Sequence, residues 1–395
     1  MAKINNLNVC AGNIGNAFLY GKTKEKVYII AGPEFGPKIQ GKRLIIDKSL
    51  YGLKSSSARF HEHLSSTLLR LGYKPSKADY DLWIRQNGDH YEYLARYVDD
   101  VIAFSKDPMS NIQELQSTYS MKGIGKPQYY LGGDVESLGP EWEKENTSEA
   151  FSAETYITNV LPKLAKSCKL VKFRKFNIPF SEDYHPELDE SDLLPPESIS
   201  KYRSLLGSAN WIITLGRFDI AYAINSLSRY SMAPRVGHMT ALQRVFGYLR
   251  THPKGKILID ASHPPVRDKV TVMKDHDWVE FYPDVIEDLP IDKPEERGEL
   301  CTLTCYVDTV HTMDKATRRS DTEILVLMNN TPISWYSKCQ KMVKSSMYES
   351  DLVASRIAVE MLISLRYFLT MVGAKIEPSS WLVGDNMAVV LNTTI

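Results

Sequence analysis

Residues 93–104 read YLARYVDDVIAF, and this stretch constrains the fold more than any other. Two apolar runs flank Asp99 and Asp100. Aspartate is depleted in strands and adjacent carboxylates repel each other, so the pair belongs at a turn between two strands. Two readings stay open on these residues alone. The pair is a hairpin turn of the kind that accepts Asp, or it is two carboxylates held toward a hard divalent ion.

Composition sets outer bounds. The chain has 395 residues, 43% hydrophobic and 24% charged, which suits a soluble protein of roughly two or three domains. Its 48 basic and 48 acidic residues cancel, so no global field draws a polyanion and nucleic-acid contact has to rest on local patches. The five cysteines form no CxxC pair. That pattern is neither a zinc site nor a disulfide frame, and it points to a reducing interior. The opening MAKINNLNVCAGN lacks signal-peptide blocks, and no stretch approaches the ~20 apolar residues of a membrane span.

Periodicity organises the chain into three stretches. Residues 1–135 read as mixed α/β, with strands at 25–33 and 41–47 and a helix at 58–71 whose Phe60, Leu64, Leu68 and Leu71 share one face. Residues 136–260 read as helical. There, Asp219 is placed to cap 219–230, a second helix covers 238–250, and 181–198 form an acidic loop. Residues 261–298 carry five prolines among many charges and read as a linker with one ordered piece at WVEFY. Residues 299–395 read β-β-β-α-β-α, with strands at 300–308, 322–330, 332–338 and 380–386 and a helix at 350–373.

GNIGNAFLYGKTKEKVYIIAGPEFG (12–36), KSLYGLKSSSARFHEHL (48–64), YVDD (97–100) and YYLGGDV (129–135) occur in that order. Together they resemble the palm of a Ty1/copia-type retrotransposon reverse transcriptase. Residues 202–250 look like the segment that follows this palm in copia-type polyproteins, and the likeness runs to the C-terminus. The resemblance implies metal-binding carboxylates at Asp99 and Asp100. The family's third acid, on its first palm strand, falls on Asn13 here. Phe18 matches the aromatic that blocks a ribose 2′-OH. Lys54 and Arg59 lie in the segment that supports the incoming nucleotide, and Leu131, Gly132 and Gly133 in the primer grip. An amide carries no charge, so Asn13 implies a rate lower by on the order of 10²-fold or more.

The last stretch resembles the RNase H domain that follows such reverse transcriptases. It implies acids at Asp308 and Asp385 on strand ends and at Asp351 near a helix start, where the family carries Glu; Glu349 is a candidate to compensate. Glu323 stands where the family turn has Gly. If that position needs φ > 0, Glu there costs about 1 kcal/mol or more.

The expected fold is α+β: a right-hand polymerase palm at 1–140 with fingers mostly missing, a helical thumb or connection region at 141–260, a linker at 261–298, and an α/β RNase H-like domain at 299–395. That last domain reads as C-terminally truncated, because the chain ends ten residues after Asp385. The implied reaction is RNA-directed DNA synthesis with hybrid-RNA hydrolysis. Two Mg²⁺ per site serve it, Mn²⁺ being an alternative, and RNA template, DNA primer, RNA–DNA hybrid and dNTPs are the partners. The resemblance puts this chemistry inside the cell, in a cytoplasmic particle or the nucleus. The alternative is a catalytically inactive remnant with at most weak nucleic-acid binding. The pattern in CKLVKFRKF (168–176) suits either phosphate contact with aromatic packing or a solvated strand face. His61 and His63 lack the HExxH spacing of a metal helix, and Arg217 with Asp219 reads as a structural ion pair.

Overall fold

A computed structural model of the chain describes residues 1–138, 148–181, 183–264 and 289–393. It divides into two compact units. One holds Met1–Pro127, Ile291–Glu299 and Tyr367–Lys375; the other holds Gln128–Pro290, Leu300–Arg366 and Ile376–Ile395.

Period-two burial builds the first unit. In Asn8–Ile14 (β1), Cys10, Gly12 and Ile14 are buried while Ala11 and Asn13 face the other side. Tyr28–Ile30 (β2) and Arg43–Ile45 (β3) pair as a two-stranded ribbon, and all three β2 residues are exposed. Both strands are shorter than the sequence suggests. Ser56–Arg70 (α1) buries Phe60, Leu64 and Leu68, and Gly72 at φ 86 supplies the left-handed residue that stops it. Lys74–Pro75 (β4), Leu82–Asn87 (β5), His90–Tyr97 (β6) and Asp100–Ser105 (β7) follow. Pro108–Gln116 (α2), which sequence patterning did not signal, starts where Asp107 accepts from the Ser110 N–H. Met121–Gly125 (β8) completes a sheet of order β4-β5-β6-β7-β1-β8. Ile14, Phe60, Leu64, Trp83, Val101, Ile112 and Leu115 form its core against the two helices.

The second unit is less helical than the sequence suggests. Tyr129–Tyr130 (β9), Gly133–Leu138 (β10), Ser148–Ser152 (β11) and Lys256–Ile259 (β12) form one antiparallel sheet. Glu154–Ser167 (α3), Pro196–Thr214 (α4), Ala221–Ser228 (α5) and Val236–Thr251 (α6) pack around Ile157, Tyr202, Ile212, Leu227, Leu242 and Phe246. Asp219 is not a helix cap. Its carboxylate accepts from Arg217 Nε at 2.9 Å and from the Tyr248 hydroxyl at 2.8 Å, so the expected ion pair is present and holds the turn before α5. The acidic loop is only partly solvated. Asp189 accepts from the Tyr184 hydroxyl at 2.6 Å and from Ser191, whose own hydroxyl accepts from the N–H of Gly237 in the first turn of α6.

Downstream, the strand expected at 300–308 is split at Thr302 into Arg297–Cys301 (β13) and Leu303–Val310 (β14). Asp321–Met328 (β15), Thr331–Cys339 (β16), Met347–Met371 (α7), Ala374–Ile376 (β17), Trp381–Val383 (β18) and Met387–Thr393 (α8) follow. The main sheet runs β16-β15-β14-β18, antiparallel except for the parallel pair β14–β18, and β13 pairs with β17 separately. The ordered piece expected at WVEFY lies outside the described residues.

Candidate active site

Strand register brings Asn13, Asp99 and Asp100 together. β1 pairs with β7 so that Asn13 lies opposite Asp100, on the face turned away from the core. The hairpin between β6 and β7 has a two-residue loop, Val98–Asp99, closed by the pair Tyr97–Asp100. The Asp99 carbonyl accepts from the Ile14 N–H at 2.7 Å, which pins the turn to β1. Val98 sits at φ 55. Positive φ at the first loop position alone is the pattern of a type II′ turn, where glycine is favoured. A β-branched residue there is a genuine backbone outlier.

The side chains close on one another. Asn13 Nδ2 donates to Asp99 Oδ2 at 3.1 Å and to Asp100 Oδ1 at 2.9 Å. One amide NH₂ thus bridges both carboxylates and offsets their mutual repulsion without a net positive charge. This donor set does not fit the two divalent ions that the family chemistry implies. Only two of the three expected carboxylates are present, and each spends an oxygen lone pair on the amide. Among the described residues no group of three or more His, Cys, Asp or Glu side chains is placed to hold a metal ion.

Phe18 stands in the same unit with its ring 4.6 Å from Tyr51, tilted, and 6.4 Å from Phe60, edge-on, in an aromatic cluster beside α1. Lys54 is exposed. Arg59 is engaged: its Nη1 donates to Glu62 at 2.8 Å, and Glu62 also pairs with Lys24 at 3.1 Å. His63 bonds the Tyr119 hydroxyl at 2.8 Å, a packing contact. Leu131, Gly132 and Gly133 belong to the second unit. They make the β9–β10 hairpin, with Leu131 at φ 47 and Gly132 at φ 92, the paired positive angles of a type I′ turn. At Gly133 a Cβ would fall 2.1 Å from the Phe151 ring, so only glycine fits there.

The C-terminal acids do not form one cluster. Asp308 of β14 lies opposite Glu323 of β15, which lies opposite Ser337 of β16, and the Ser337 hydroxyl donates to Glu323 at 2.7 Å. Thr309, the next residue, points to the other face, where its hydroxyl donates to Asp351. Asp308 and Asp351 therefore sit on opposite faces of the sheet. Asp351 also accepts from Asn386 Nδ2 at 2.7 Å. Asp385 borders both the groove beside Asp351 and a cavity of about 440 Å³ that holds Asp308 and Glu323. Glu349 does not compensate, because its carboxylate accepts from the Ser345 N–H and hydroxyl at 2.8 and 2.9 Å.

Glu323 departs from expectation twice. It lies within a paired strand and is absent from the positive-φ residues, so it carries no turn strain. Burial pushes its carboxyl up to about 7, with Asp321 and Asp308 adding to the rise and the Ser337 hydrogen bond opposing it. The sequence reading missed it as a partner of Asp308, and only the register reveals the pair. In the stretch 168–176, Phe173 is core, stacked on Phe246 at 5.3 Å, while Lys169, Lys172, Arg174 and Lys175 are exposed. Phe173 is thus not free to stack on a base, and the half-buried Phe176 ring is covered by Arg244 at 4.5 Å.

Residues 1–166 match the family model described as reverse transcriptase (RNA-dependent DNA polymerase). The YVDD hairpin lies inside the matched segment. The retrovirus-related Pol polyprotein from transposon RE1 of Arabidopsis thaliana is 25% identical over 343 residues, which is 86% of this chain and 20% of that polyprotein. The putative transposon Ty5-1 protein of Saccharomyces cerevisiae is 27% identical over 272 residues, 65% of this chain and 84% of the relative. The retrovirus-related Pol polyprotein from transposon TNT 1-94 of Nicotiana tabacum is 25% identical over 379 residues, 91% of this chain and 24% of the polyprotein. The chain is thus similar to retrotransposon Pol sequences of the Ty1/copia type, and it spans about a fifth of the length of the Arabidopsis relative. Among the described residues no helix is long and apolar enough to cross a membrane.

Proposed function

We propose that this chain is a reverse-transcriptase relative whose polymerase site is shut by Asn13, so that it binds template and primer weakly and extends them poorly or not at all. The observation that carries this reading is the Asn13 amide bridging Asp99 and Asp100 at 3.1 and 2.9 Å. In-line nucleotidyl transfer needs anionic oxygens that draw divalent ions onto the attacking and leaving groups. An amide donor at the centre of the site competes with those ions.

The segment from β14 to α8 is proposed to be RNase H-like, which its strand order and the parallel β14–β18 pair support. Hybrid-RNA cleavage is not expected from it, since Asp308 and Asp351 occupy opposite faces.

Primer extension on an RNA template with Mg²⁺ or Mn²⁺ and dNTPs tests the proposal. The unmodified chain should be slower than Asn13→Asp by on the order of 10²-fold, equivalent to about 3 kcal/mol of transition-state stabilisation. Robust extension by the unmodified chain would overturn the proposal in favour of an active polymerase.

A further inference from the structure

Exposed apolar side chains gather on the β2–β3 ribbon of the first unit. Tyr28, Ile29 and Ile30 of β2 are 54%, 39% and 67% exposed, and Ile45 of β3 is 80% exposed. The connection between the strands adds Phe35 and Ile39 at 42% and 40%. Single exposed apolar residues are ordinary, but a group of them on one small element marks an interaction surface. Tyr28 pairs with Ile45 and Ile30 with Arg43, so Tyr28, Ile30 and Ile45 share one face.

The backbone is open at the same place. The Ala31 N–H donates to the Lys42 carbonyl and the Ile46 N–H to the Val27 carbonyl, both at 2.9 Å. Hydrogen-bonded and non-hydrogen-bonded pairs alternate along an antiparallel ladder, so Tyr28 and Ile30 turn their N–H and C=O groups away from β3. The ribbon has no third strand, and among the described residues these four groups have no backbone partner. An unpaired edge beside exposed apolar side chains is a template for another strand.

Charge and backbone together select the occupant. Residues 22–48 carry seven lysines and arginines against Glu25, Glu34 and Asp47. A second copy of the ribbon would bring like charges together. A lipid bilayer would bury the four open peptide groups where nothing can bond them. Of the three residues on the shared face only Tyr28 has a ring, and the Arg43 guanidinium lies 5.1 Å from its centre. Single-stranded RNA therefore finds no free platform on which to stack its bases. An extended polypeptide with acidic side chains answers every feature: it pairs the edge, covers the isoleucines and neutralises the lysines.

We propose that the outer edge of β2 takes up an acidic, extended polypeptide strand from a partner protein. The strand adds to the ribbon beside Tyr28–Ile30, with apolar side chains against Tyr28 and Ile30 and carboxylates toward the surrounding lysines. All three β2 side chains are exposed, whereas Leu44 in the middle of β3 is half-buried, which favours the β2 edge over the β3 edge. The surface does not depend on the chemistry of the Asp99–Asp100 turn.

Fluorescence anisotropy of a labelled, capped peptide of about eight alternating isoleucines and glutamates, titrated with the full chain, tests the surface. A Kd below about 100 μM is expected, with at least tenfold weaker binding of the matching isoleucine–lysine peptide. Ile30→Pro removes an outward N–H that the ribbon itself does not use, and it should weaken binding at least tenfold. Ile45→Pro does the same at the opposite edge and should change binding less than twofold. Melting curves check that the variants fold. If Ile30→Pro does not, Ile30→Glu, which keeps the N–H and repels the peptide, carries the comparison and should also weaken binding at least tenfold. No binding up to about 1 mM, equal binding of the lysine peptide, or affinity unchanged in the Ile30 variant would each overturn the proposal. So would displacement of the peptide by oligouridylate or by phosphatidylserine vesicles at lower concentration than by unlabelled peptide, which would assign the face to nucleic acid or to membrane.

Discussion

Val98 and Glu323 show how much single residues strain or tune this fold. Val98 holds a left-handed conformation at the loop that presents Asp99, although it is a β-branched residue. Replacing it with glycine removes a penalty of roughly 1–2 kcal/mol but adds freedom to the unfolded chain. Val98→Gly should therefore gain up to about 1 kcal/mol in denaturant unfolding, and a loss of that size would show that the turn is relaxed with valine. Glu323 binds its proton more tightly in the folded chain, near 7, than at its ordinary 4.5. Folding therefore favours the protonated acid. Its contribution is complete below about pH 4.5 and is lost as pH rises through about 7. Glu323→Gln, which keeps a partner for Ser337, should match the parent in acid and exceed it at about pH 8 by up to roughly 3 kcal/mol. Parallel stability–pH curves for the two chains would contradict that assignment.

At the scale of elements, what was legible in the sequence was local. The YVDD hairpin and α1 could be read because alternation and helical spacing lie within a dozen neighbouring residues. The β10–β11–β12 sheet could not. Ser148–Ser152 pairs with Lys256–Ile259 more than a hundred positions away, and neither segment is long or apolar enough to declare itself. The acids Asp308, Asp351 and Asp385 can be named one by one from the sequence, but how they group cannot, because which face an acid takes depends on a one-residue register that the sequence does not print. Glu323 falls on a turn position by resemblance and on a paired strand in the structure for the same reason. The β2–β3 ribbon carries a prediction of its own. It has two strands, with Tyr28, Ile30 and Ile45 at 54%, 67% and 80% exposure, and isolated two-stranded ribbons are marginal. Its amides should exchange with solvent well before those of β6 and β7, which lie inside a six-stranded sheet. Equal protection in both would mean that the ribbon is held by more than its own pairing.

At the scale of the whole molecule, the segment 1–166 that matches a reverse-transcriptase model is followed by a longer C-terminal region, and similarity to Pol relatives runs through both, covering 86% and 91% of this chain. On the proposed reading Asn13 is the weak point of the first unit. Its sheet, core and hairpin are in place, and one amide separates Asp99 and Asp100 from a three-carboxylate set. Divalent-ion binding reads this most directly, because it needs neither template nor turnover. Mn²⁺ titration followed by electron paramagnetic resonance should show weak binding to the unmodified chain and at least tenfold tighter binding to Asn13→Asp, about 1.4 kcal/mol or more. Equal Mn²⁺ affinity in the two chains would contradict the claim that Asn13 closes the site.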